Sequence, residues 1–201
     1  MQGNSLGRFV LRVAAWLPIA FLVWYLAGPI LAWPIALLTE GAGRLVFSRL
    51  VRDVEQQGHL LTIVSNINPM LATAEQNVRS VLSVELNTLL YSFGLPMLAA
   101  LVLAAREPHR LRTLALGYAV LAPFVTWGML AEFLKRIVFD TTPAIAAQTG
   151  FTPLQREAVA FAYQFGSLIL PTVVPAVFWV LTHRRFIEGF TASGRGVGAA
   201  Q

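Results

Sequence analysis

Seven polar side chains carry the chemistry this sequence can offer: Asn87, Tyr91, Glu132, Lys135, Glu157, Tyr163 and Gln164. Each lies at or near the end of a long apolar run. Asn87 and Tyr91 are four apart and Glu132 and Lys135 three apart, spacings that share one helix face. Glu157, Tyr163 and Gln164 fall together at the start of the last apolar run. Polar groups at membrane depth are expensive and need partners. One reading makes the seven a polar pocket that holds a lipid headgroup, a peptide or a partner's side chain. The other makes them bonds between helices, with Glu132 paired to Lys135 and with Asn87 and Gln164 bonding across helices. Acid/base chemistry through Glu132, Glu157 and Tyr163 requires two carboxylates whose pKa values are pushed apart, and the spacing does not bring the two together.

Other chemistries find no support. There is no cysteine, which removes disulfides, thiolate metal sites and thiol nucleophiles. His59, His109 and His183 fall in three separate segments, so no common metal is expected. Gly166-Ser167 lies within an apolar run rather than in G-x-S-x-G, and no HExxH, P-loop or GxGxxG motif occurs. No catalytic residue, metal or cofactor is assigned.

The elements that must position these residues are apolar helices. Four runs, Val10–Leu38, Leu86–Ala105, Leu114–Leu134 and Ala158–Leu181, carry almost no charge. Each reaches the roughly 20 residues needed to cross a hydrocarbon core, where only internally bonded backbone is tolerated. Of 201 residues, 56% are hydrophobic and 12% charged, and the mean hydropathy is +0.64. The predicted fold is an all-α polytopic membrane protein of four transmembrane helices, with a small β-meander inserted between the first and second. Residues 1–38 form the first helix, 39–85 an extracytoplasmic β-rich insertion, 86–185 a three-helix region and 186–201 a disordered cytoplasmic tail. A straight helix over Val10–Leu38 would be about 43 Å long. It either tilts or breaks near Gly28-Pro29 and continues along the outer interface. The run is about twice a signal-peptide core of about 7–15 residues, so it reads as a retained anchor. Within the insertion, Gly41-Ala42-Gly43 loosens the start, and Val51–Gln56, His59–Ser65 and Val78–Leu86 read as strands. Two or three strands are marginal alone and should lie on the membrane or against a partner. Thr152-Pro153, with Glu157, marks a helix start with Thr152 as the N-cap.

The net charge of +5 belongs to orientation rather than to nucleic acid, because the arginines flank apolar runs. Arg106, Arg110 and Arg112 crowd one loop, and Arg184 and Arg185 come directly after the last run. That density places both termini in the cytoplasm and residues 39–85 outside. The Arg106–Arg112 loop either sets topology only or also binds anionic headgroups.

The segments themselves suggest a family. The chain resembles the exosortase H-associated membrane proteins nearly end to end. The resemblance is carried by WLPIAFLVWYLAGPILAWPIALL, VEQQGHLLTIVS, VELNTLLYSFGLPMLAAL, WGMLAEFLKRIVF and LQREAVAFAYQFGSLILPTVVPAVFWVLTHRRFIE. Its most distinctive pieces are the ELN-to-GLP run at 85–96 and the QREA-to-LILP run at 155–171. The resemblance implies a bacterial inner-membrane protein working beside an exosortase-type membrane transpeptidase and among membrane lipids. It does not imply the transpeptidase itself, which looks like a Cys/Arg/His catalyst, and it transfers no catalytic residue. The expectation is a non-catalytic accessory subunit that binds the exosortase or presents its substrate. The alternative is a small membrane enzyme or lipid-binding protein with a polar site at the outer leaflet. A channel or transporter is disfavoured, because no internal repeat is visible.

Overall fold

The computed structural model describes residues 4–69, 81–106, 108–184 and 188. The turn beyond Pro69, the first part of the expected third strand, and the 186–201 tail apart from Glu188 therefore lie outside the described residues. The described chain is mostly helical. It holds three helices long and apolar enough to cross a membrane, Leu6–Leu26, Arg110–Phe139 and Pro153–Thr182, and a three-stranded antiparallel sheet.

The first apolar run is two helices, α1 (Asn4–Leu26) and α2 (Gly28–Val46). The break falls at Ala27, and its cause is Pro29. Proline has no N–H for the ladder, and its ring clashes with the carbonyl four residues back, so it fits the first turn of a new helix instead. Ala27 O starts that turn, accepting from Ile30 N and Leu31 N at 3.0 Å each. Pro18 and Pro34 lie inside α1 and α2 without ending them. Gly41-Ala42-Gly43 is helical rather than loose.

Strands β1 (Val51–Gln57), β2 (Leu60–Ser65) and β3 (Ser83–Asn87) form the sheet in the order β1-β2-β3. Gly58, with φ of 65°, supplies the left-handed turn between β1 and β2. Leu61 and Ile63 on β2 and Val84 and Leu86 on β3 are buried, which sets the register against one covered face. The β2–β3 ladder runs to Leu60 opposite Asn87, so backbone expected to open the second span is held in a strand. Two short helices continue the chain from there, α3 (Leu89–Ser92) and α4 (Gly94–Ala105). Taken together, Leu89–Ala105 is an apolar helical stretch below the length of the three long spans.

The remaining elements are α5 (Arg110–Phe139), α6 (Pro143–Ala147), α7 (Pro153–Gln164), a π-helical turn at Phe165–Ile169 and α8 (Leu170–Thr182). The N-terminus of α7 carries a capping box. Thr152 Oγ1 accepts from Gln155 N at 3.3 Å, and Gln155 Oε1 accepts from Thr152 N at 2.9 Å. The Thr152-Pro153 start is as expected, but its reciprocal partner is Gln155 rather than Glu157. Thr152→Ala should lower stability by about 1 kcal/mol in detergent unfolding, the usual value of such a cap; an unchanged midpoint would refute the cap's contribution. The π turn closes with Leu170 N bonded to Phe165 O, and the next residue, Pro171, has no N–H to donate.

The described residues divide into two compact units, those within 1–26, 93–121 and 172–201 in one, and those within 27–92 and 122–171 in the other. In the first, α1 packs against α4, and Leu98, Val102 and Leu121 form a core with Leu95, Leu114, Val174, Phe178 and Trp179 around it. Phe9 stacks on Trp179 at 5.7 Å. Leu11, Leu22 and Leu26 of α1 are exposed, as suits side chains whose solvent is lipid. In the second, α2 packs on β1. A Cβ at Gly43 would stand 3.1 Å from Val51 Cγ1, so the glycine lets helix and strand meet closely. The sheet's support is thus α2 of its own chain.

Candidate functional site

In the second unit a polar knot forms among side chains of α3, α5 and α7, and α5 ties it to the edge strand β3. Helix α5 supplies Glu132, whose side chain is only 9% exposed. One turn further along, Arg136 Nε donates to Glu132 Oε1 at 2.6 Å. Arg136 Nη1 also donates to the Glu85 carbonyl of β3 at 3.0 Å. One guanidinium therefore answers a buried carboxylate and ties α5 to the edge of the sheet, as a forked donor can. Tyr91 of α3 is buried, and its hydroxyl lies near enough to the Glu132 carboxylate to interact with it. Glu132 Oε2 nevertheless makes no hydrogen bond among the described residues.

Lys135 faces a different partner. Its Nζ pairs with Asp140 Oδ2 at 2.8 Å and stands 5.4 Å from the centre of the Tyr163 ring. The expected Glu132–Lys135 pair is thus replaced by Glu132–Arg136 and Lys135–Asp140. Spacings of three and four are both geometrically open on a helix; here the second bond to Glu85 O favours Arg136.

Two glycines bring the elements together. A Cβ on Gly128 of α5 would fall 2.5 Å from Tyr91 Cδ1 and 3.2 Å from Gly166 O. A Cβ on Gly166, in the π turn, would fall 3.0 Å from Gly128 Cα. Trp127 Nε1, beside them, donates to Ala162 O at 3.1 Å. The absence of side chains at 128 and 166 is what allows Tyr91 to reach across toward Glu132.

Of the seven residues singled out from sequence, Tyr91, Glu132, Lys135 and Tyr163 belong to this neighbourhood. Asn87 does not share a helix face with Tyr91. It ends β3, and its Oδ1 accepts from Leu89 N at 2.9 Å, a local cap. Glu157 and Gln164 are exposed on α7, so Gln164 is not a buried inter-helix bond. Sequence reading missed Arg136, Asp140 and Gly128 as members of this neighbourhood, whereas Gly166 reads from the sequence as a point of close helix approach. The i,i+4 spacing of Glu132 and Arg136 was a legible signal, whereas the Glu85 carbonyl had none.

Along α5, on the side chains neighbouring the knot in sequence, an apolar cavity of about 420 Å³ opens between three elements. Ala42, Val46 and Phe47 line it from α2 and its end, Thr126, Leu130, Ala131 and Leu134 from α5, and Ala162 from α7. Thr126 Oγ1 is buried in this lining without a hydrogen bond among the described residues. A buried hydroxyl left unpaired costs about 1–3 kcal/mol. No group of three or more His, Asp or Glu residues that could hold a metal occurs among the described residues.

A family model described as exosortase H-associated membrane protein matches residues 3–186. Comparison with curated proteins and with solved structures gives no match.

Proposed function

We propose a non-catalytic accessory role for this chain, which belongs to the exosortase H-associated membrane protein family. In this reading it binds an exosortase within the bacterial inner membrane, or presents the apolar sorting helix of the exosortase's substrate. The observation that carries the reading is the apolar cavity between α2, α5 and α7, with the unpaired Thr126 hydroxyl in its lining. Helices associate in lipid through close packing over small residues and through polar contacts. The cavity offers both, with Ala42, Ala131 and Ala162 as the small residues and Thr126 as a donor awaiting an acceptor. The knot beside it is already engaged internally through Arg136, which favours a structural rather than a reactive role for Glu132.

The proposed topology has four crossings. Leu89–Ala105 serves as the second, about 26 Å long at 1.5 Å per residue, with β3 leading into it. Both termini are cytoplasmic, and residues 39–85 lie on the periplasmic side, next to the processing reaction. Tyr91, Glu132, Lys135 and Tyr163 then stand at the outer end of the spans and form the polar margin of the partner surface.

Filling the cavity tests this. Ala42→Phe and Ala162→Phe, at half-buried positions, should each reduce the exosortase recovered with tagged protein about tenfold, the effect of losing roughly 1.4 kcal/mol of association. Thr126→Val should weaken recovery while making the isolated protein about 1 kcal/mol more stable, since it removes an unpaired buried hydroxyl. Full recovery of the exosortase by all three variants would exclude the cavity as the partner surface. A second reading, a lipid-binding site at the knot, is favoured by Glu132 Oε2, buried with no hydrogen bond among the described residues. It would gain if the wild-type protein purified alone with a tightly held lipid that Glu132→Gln releases.

A further inference from the structure

In the first unit, α4 passes into α5 through a tight reversal. Arg106, with φ of 57°, takes the left-handed conformation that ends α4. Pro108 lies within the reversal, and α5 begins at Arg110. The reversal borders an open surface depression of about 490 Å³ lined by Leu103, Pro108, His109, Arg110, Leu111 and Arg112.

Its charge is unbalanced. The ion pairs among the described residues join Arg44 to Glu40 and Asp53, Lys135 to Asp140 and Arg136 to Glu132. None engages Arg106, Arg110 or Arg112. The segment 106–112 contains three arginines against the single carboxylate of Glu107, a net +2. The first turn of α5 contains no acidic residue, so the helix's positive end adds to that charge rather than being neutralised. The depression is also amphipathic. Leu111 is 82% exposed between the two arginines, and Leu103 and Pro108 complete an apolar wall. A water-soluble anion has no use for an exposed leucine between its ligands. A phospholipid has, because its phosphate and its acyl chains meet at the level where a span begins, and α5 is such a span.

We infer that the α4–α5 reversal is a binding site for the headgroup of an anionic phospholipid. Arg110 and Arg112 take the phosphate through charge-assisted hydrogen bonds, His109 adds a donor, and Leu111 enters the acyl region. A role limited to setting topology would require only charge near the span end and would give no selectivity among lipids.

The full-length protein, purified in neutral detergent, is offered equal amounts of phosphatidylglycerol and phosphatidylcholine with matched chains, and retained lipid is counted by native mass spectrometry. Wild type should retain phosphatidylglycerol preferentially. Arg110→Gln with Arg112→Gln should lower that retention about 25-fold, at about fivefold for each arginine held near an anionic surface. Arg110→Lys with Arg112→Lys should keep most of it, which also shows that the loss is not misfolding. Arg52→Gln with Arg156→Gln removes the same charge elsewhere and should leave retention unchanged. Equal losses in the two glutamine pairs, or no preference in wild type, would overturn the assignment. So would abolition of lipid retention by inorganic phosphate, which would give the depression to a free anion.

Discussion

Gly128→Ala should destabilise the protein by about 2 kcal/mol, well inside the overpacking range of about 1–3 kcal/mol for a filled interior. The added Cβ would meet Tyr91 Cδ1 at 2.5 Å, and Tyr91 is buried and cannot swing away without leaving Glu132. Gly166→Ala should act similarly, because its Cβ would come within 3.0 Å of backbone at Gly128 Cα, which has no rotamer to change. Both substitutions push the same two elements apart. The double variant should therefore cost clearly less than the sum, as expected for coupled neighbours. Gly41→Ala is the control. It also lies in a helix, but nothing stands within 4 Å of its Cβ, so it should be neutral or gain up to about 1 kcal/mol from helix propensity. Unfolding in mixed detergent micelles, followed by tryptophan fluorescence, reads all four. If Gly128→Ala melts with wild type, the close approach of α5 and the π turn is wrong.

Arg136→Ala should cost about 2–3 kcal/mol. Removing one partner of a buried pair typically costs about 3–5 kcal/mol, because the other charge is left without an answer. Here Glu132 is buried but the Arg136 side chain is 42% exposed, which places the effect below that range. The Glu85 carbonyl loses its donor at the same time. Adding Glu132→Ala to Arg136→Ala should return about 1 kcal/mol, since the stranded carboxylate is gone. Lys135→Ala is the contrast. Its pair with Asp140 is at the surface, where such bridges contribute about 0–1 kcal/mol. Equal losses for Arg136→Ala and Lys135→Ala would show that the buried pair carries no special weight.

Much of the architecture is legible in the residues because it depends on local rules. Apolar length marked the three long spans. Alternating and β-branched segments marked the strands, and Gly58 sits at the turn between the first two. Thr152 before Pro153 marked a helix start. The second span shows where local rules run out. Leu86 and Asn87 read as the opening of an apolar helix, yet the β2 ladder claims them, and pairing with a strand more than 20 residues away leaves no mark on the local pattern. The first run held both outcomes, a tilt or a break. Pro29 made the break possible, and the structure places it at Ala27.

The candidate site divides along the same line. From the sequence alone came a membrane protein without cysteine, with its few polar residues gathered at span ends and its arginines at loop margins; these are properties of residue type and position, and each reflects the cost of placing charge in hydrocarbon. From the tertiary structure alone came the choice among partners. Glu132 had Lys135 and Arg136 within reach on its own helix, and the selection of Arg136 goes with a carbonyl on β3 that no helical spacing encodes. Asn87 caps the chain locally because it ends a strand. The cavity beside Thr126 exists only because α2, α5 and α7 come together around it. Spacing along a helix limits which groups can meet, but packing between elements far apart in the chain decides which of them do.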